Sequence, residues 1–143
     1  MITDTTKKKI ALFMKEVFGT GGSGKTNLGT GGGTTNPQAD SLDVPIQAIG
    51  SGSTNSTSVS DDKVIEVKAS FTGSSLQGYT IREMGIFGSV PKDDQFDEVL
   101  NTNNTSNPEF TTETVMLTRI NFESIGNFST GDTIEVIYTM EVE

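Results

Sequence analysis

Apolar residues recur along this chain with two different periods, and the change from one to the other divides it. Near the N-terminus Ile10, Phe13, Met14, Val17 and Phe18 fall at i, i+3, i+4, i+7 and i+8, one stripe on a 3.6-residue repeat. Thr3-Asp4-Thr5 offers capping side chains before the stripe, and Gly19 is a natural stop after it. The pattern predicts an amphipathic helix over 4–18. Lys7, Lys8 and Lys9 lie near its start, where the helix dipole disfavours cations, so burial of the stripe has to hold it. Five such side chains at ~1.5–3 kcal/mol each would anchor it to a sheet.

Past residue 60 the period falls to two. Over 63–71, Ile65, Val67, Ala69 and Phe71 alternate with Glu66, Lys68 and Ser70, the mark of a half-buried strand. In 133–142, Ile134, Val136, Tyr138, Met140 and Val142 alternate with Glu135, Ile137, Thr139 and Glu141. A strand over 114–122 and a turn at 129–132 complete a closing pair, and 43–49 reads as a short edge strand because Pro45 removes a ladder donor. The Gly/Thr-rich stretch 19–35, the Ser/Thr-rich 51–60 and the Asn-rich 101–108 read as polar loops. The expected fold is α+β or mainly β: one N-terminal helix packed on a mostly antiparallel sheet or sandwich, in a single domain over 1–143 with the β part from 43.

The stretch 78–88 sets two adjacent charges among apolar residues between glycines. Ile81, Glu83, Gly85 and Phe87 share one face of a strand there; Thr80, Arg82, Met84 and Ile86 share the other. Whichever face is buried carries Arg82 or Glu83, and a buried charge is costly unless paired. The strand therefore needs a polar partner, or a bulge at Gly85 that re-aims the charge. An internal ion pair that sets strand register is the favoured reading over an interface charge.

Ile81-Arg82-Glu83-Met84-Gly85-Ile86-Phe87 resembles the Arg-Glu-hydrophobic-Gly-hydrophobic-Phe signature of a domain in tail-fibre, tail-collar and baseplate-associated structural proteins of tailed bacteriophages. The order of elements is similar too: an amphipathic helix, a Gly/Thr loop ending in Pro37-Gln38-Ala39-Asp40-Ser41-Leu42, a long middle strand, the Arg-Glu strand and two closing strands. The resemblance implies a non-enzymatic virion protein of the tail, baseplate or fibre attachment, made in the host cytoplasm. It implies other tail or fibre proteins as partners, and homo-oligomers in multiples of three. None of its motifs is catalytic.

Composition narrows the chemistry. The net charge of −9 and a pI near 4.4 argue against a nucleic-acid platform, which needs a basic face. The absence of cysteine excludes thiol chemistry, and the absence of histidine removes the commonest general base and metal ligand. No apolar run approaches the ~18 residues of a membrane span, and the N-terminus lacks a signal-peptide apolar region.

One motif does suggest an enzyme. Gly19-Thr20-Gly21-Gly22-Ser23-Gly24-Lys25-Thr26 matches the phosphate-binding P-loop pattern. That pattern works between a buried strand and a helix, whereas here a helix precedes it and glycines follow, so a flexible connector over 19–33 is expected. Asp61-Asp62 and Asp93-Asp94 with Asp97 lack the alternate ligand spacing of a Ca²⁺ loop and read as solvated turns. Sequons at Asn55, Asn103, Asn104 and Asn127 read as chance in so Asn/Ser/Thr-rich a chain. No catalytic, cofactor or metal residue is assigned. Rival functions are a receptor- or glycan-binding module, a capsid decoration protein and, last, a small P-loop NTPase.

Overall fold

A computed structural model describes residues 1–19, 24–33, 41–96 and 112–143. The 3.6-residue repeat forms helix α1, Asp4–Phe18, whose N-cap is Thr3 with its side chain accepting from the Thr6 amide. The helix turns its stripe differently from expectation. Ala11, Val17 and Phe18 are buried, while Ile10 and Phe13 remain exposed. A helix wedged into a sandwich needs a small residue at its closest approach. Ala11 takes that place, and the larger neighbours swing out.

Among the described residues seven strands follow: β1 Lys25–Gly29, β2 Ser53–Thr54, β3 Ser56–Ser60, β4 Val64–Thr72, β5 Ile81–Pro91, β6 Thr112–Ile125 and β7 Thr133–Glu141. A single helical turn, α2 Gly73–Leu76, links β4 towards β5. The strands form two antiparallel sheets, ordered β2-β1-β5-β6 and β3-β4-β7. The expected architecture, one N-terminal helix on mostly antiparallel sheets, is therefore found. The core lies between the sheets and under α1. It combines Ile65, Val67, Ala69 and Phe71 of β4 with Leu28, Met84, Ile86, Phe18 and Leu76. The alternation read over 63–71 and 133–142 matches the observed faces of β4 and β7.

Three stretches read as loop or edge are otherwise. The connector expected over 19–35 contributes β1, which pairs with β5 from Lys25↔Phe87 to Gly29↔Glu83. Its strand is set by pairing, since only Leu28 supplies an apolar side chain. The expected loop over 51–60 is β2 and β3, and these strands pass at Asn55 from one sheet to the other. The edge strand expected over 43–49 is reduced to one bridge, Gly29↔Pro45, and a 3₁₀ turn at Gln47–Ile49. The Asn-rich stretch 101–108 lies outside the described residues, as do Asp97, Pro37, Gln38, Ala39 and Asp40.

Asp61 and Asp62 both adopt left-handed φ, 50° and 58°, which makes them the two central residues of a primed hairpin turn between β3 and β4. The acidic pair is turn chemistry.

Candidate functional site

β5 is a central strand of its sheet, flanked by β1 and β6. From Met84 on, its even-numbered face enters the core, and Ile81 joins the core ahead of the register shift between Ile81 and Glu83. On the opposite face, above the sheet, Glu83 is 0% exposed. A strap made of 29–33 and 41–46 lies over this face. It is tied down by Thr30 N to Val44 O at 2.9 Å and Ile46 N to Leu28 O at 3.0 Å.

The strap delivers backbone amides to the carboxylate. Glu83 Oε2 accepts from the Gly31 amide at 2.7 Å and the Val44 amide at 2.9 Å, and Oε1 accepts from the Asp43 amide at 2.7 Å. Arg119 Nη2, reaching over from β6, donates to Oε1 at 3.3 Å and to Asp43 Oδ2 at 3.0 Å. The Arg119 side chain is only 3% exposed. Four donors converge on one buried carboxylate, which is how a charge survives away from water. Glycine is required at the closest approach. A Cβ on Gly29 would lie 2.7 Å from Glu83 Cγ, and one on Gly31 would meet Glu83 Oε2.

The signature residues thus divide by role. Glu83 is the clasp, and Arg82, its neighbour, is exposed with Nε donating to Ser124 Oγ at 3.2 Å. Gly85 sits beneath Leu42, whose Cδ2 would be 3.0 Å from an added Cβ. Ile81, Met84 and Ile86 are core. Phe87 is half-buried on the strap side. Of the two expected alternatives, a polar partner or a bulge at Gly85, the polar partner is found; register shifts fall instead between Ile81 and Glu83 and between Ile86 and Phe87, with the extra residues in β6. The sequence offered the glutamate but not its partner. Arg119 could have been suspected as the single base in an otherwise apolar and acidic closing pair.

Lys25 and Thr26, the reactive end of the P-loop pattern, lie in β1 instead of opening a helix. The Thr26 hydroxyl is buried and donates to Asn55 Oδ1 at 2.6 Å, and Lys25 Nζ donates to Ser51 Oγ at 3.1 Å. Two open hollows lie among the described residues, the first lined mostly by charged side chains and the second mostly by apolar surface. One of about 480 Å³ is lined by Asp4, Lys7, Lys8, Asp61, Asp62 and Lys63. One of about 340 Å³ lies between Lys25, Asn27, Ser51, Phe87, Ser89 and Thr114. Among the described residues no group of three or more acidic side chains is placed to hold a metal ion, and no helix is long and apolar enough to cross a membrane. No protein-family model matches this chain, and no curated protein matches it.

Proposed function

We propose that this chain is a non-enzymatic structural component of a tailed-phage particle, placed in the tail, baseplate or fibre attachment and made in the host cytoplasm. The observation that carries the proposal is the pair of long strands at the sheet edges. β6 and β7 each border one sheet, with their outer backbone groups facing no strand among the described residues. Edges of this length without lysine or proline are templates for pairing with another chain. The clasp adds support: the charge of the Arg-Glu signature is spent on holding the fold, and the Thr26 hydroxyl that a P-loop would offer to magnesium is spent on Asn55. A glycan-binding reading has one observation in its favour, the half-buried Phe87 beside Asn27, Ser89 and Thr114, but a single ring is a small platform.

Mass spectrometry on purified particles, separated into tails and capsids, tests the proposal. The chain is expected in the tail fraction at a copy number matching a known tail component. Absence from particles overturns the proposal, and presence at hundreds of copies on the capsid moves the assignment to decoration.

A further inference from the structure

Among the described residues, two apolar surfaces face solvent, and the charges beside them are of opposite sign. The first is on α1. Ile10 and Phe13, 37% and 46% exposed, share a helix face with Lys9, next to Lys7 and Lys8. Of the four lysines of α1, Lys8 pairs with Asp62 at 3.4 Å and Lys15 with Glu16 at 3.9 Å, which leaves Lys7 and Lys9 to charge this face. The second surface is the side where β6 and β7 border the sandwich. Leu117, Ile120 and Phe122 of β6, with Val136, Tyr138 and Met140 of β7, pack on the core yet stay partly exposed, while their counterparts on β4 are buried. Residues 112–143 hold six acidic side chains, of which Glu141 pairs with Lys63 at 3.1 Å and Glu135 projects from the outer face of β7, and one base, Arg119, which is turned inward to Glu83.

α1 packs on β3, β4 and β5, so the two surfaces belong to different parts of the molecule. A symmetric contact of either surface with itself would oppose like charges. A contact of one surface with the other would match both charge and apolarity. We infer that a second copy of this chain docks the Ile10/Phe13 face of its α1 on the β6/β7 side of the first, head to tail. Such a contact is heterologous: repeated, it closes into a ring or runs on as a stack. The inference names the partner in the assembly role proposed above and draws its biological meaning from that reading.

Sedimentation velocity with two variants of the full chain tests it. One carries Ile10→Asp and Phe13→Asp, which spoil the helix face; the other carries Glu123→Lys and Glu135→Lys, which reverse the charge at the strand side. All four positions are exposed, so both variants should keep the wild-type melting transition. Wild type is expected to gain mass with concentration and to lose it with added salt. Each variant alone is expected to stay monomeric. Mixed, they should form a one-to-one complex that grows no further, because one good helix face meets one good strand side. A monomeric wild type, variants that associate as wild type does, or a mixture that stays monomeric would each overturn the inference. The chain found in particles but monomeric in solution defeats this inference and leaves the proposed function standing. Self-association with absence from particles does the reverse.

Discussion

Glu83 and Arg82 are neighbours in sequence and opposites in environment. Glu83 accepts from three backbone amides and a guanidinium with no exposure to water, while Arg82 reaches only Ser124 at the surface. Glu83→Gln puts an amide NH₂ where two oxygens now accept, and leaves Arg119 beside a neutral group. Removing one partner of such a buried pair costs ~3–5 kcal/mol. Arg82→Met, at an exposed position, should stay within about 0.5 kcal/mol of wild type. Urea denaturation of the two variants checks this, and equal midpoints would contradict it. Replacing both Glu83 and Arg119 by methionine should not restore stability, because the buried amide of Gly31 and the part-buried amides of Asp43 and Val44 would lose their acceptor.

Elements rich in apolar side chains were legible in the sequence, and those held by polar side chains were not. β4 and β7 announce themselves by strict alternation because one face meets the core and the other meets water. β1, β2 and β3 carry Thr, Ser and Asn, and their reason for order lies elsewhere in the chain. Asn55 Nδ2 donates to the Phe18 carbonyl at 2.8 Å, Asn55 Oδ1 accepts from Thr26, and Thr57 Oγ1 donates to the Lys15 carbonyl at 3.1 Å. At the end of α1 the Phe18 carbonyl is taken up by Asn55, and the Lys15 carbonyl, which already accepts the Gly19 amide, takes a second bond from Thr57. Asn55→Ala should cost about 2–4 kcal/mol by orphaning buried groups at both ends, measured as a loss in the chemical denaturation midpoint; a loss within error would show that Asn55 is incidental. At the far end of β4, Lys63 donates to Glu141 at 3.1 Å, and this hydrogen bond together with the carboxylate charge raises the lysine pKa. A raised folded value means that the pair's support is fully present below the ordinary lysine range and is lost as pH rises through the folded value. The stability difference between wild type and Lys63→Met should therefore shrink in strongly alkaline solution; a difference that is constant with pH would contradict this.

At the scale of the molecule, the described residues cover the two sheets unequally. The strap lies over β5 and α1 packs on β3, β4 and β5, while β6 and β7 lie at the margins with partly exposed inner faces. The fold class was readable from two periods of hydrophobicity. The clasp was only half readable, since three of its four donors are backbone amides, which every residue carries and no side-chain pattern marks. Its trace in the sequence is the glycine density around residues 29–33, where Gly29 and Gly31 leave room for the Glu83 side chain. The central claim is that the Arg-Glu strand's charge is an internal fastening, leaving contact with neighbours to the edges. Native-state hydrogen exchange, resolved amide by amide on the free chain, tests it most directly. The amides of Gly31, Asp43 and Val44 should exchange only through global unfolding, and the outward amides of β6 and β7 through local opening of far lower free energy. Exchange of the three strap amides at the rate of surface turns, with β6 and β7 protected, would contradict the account.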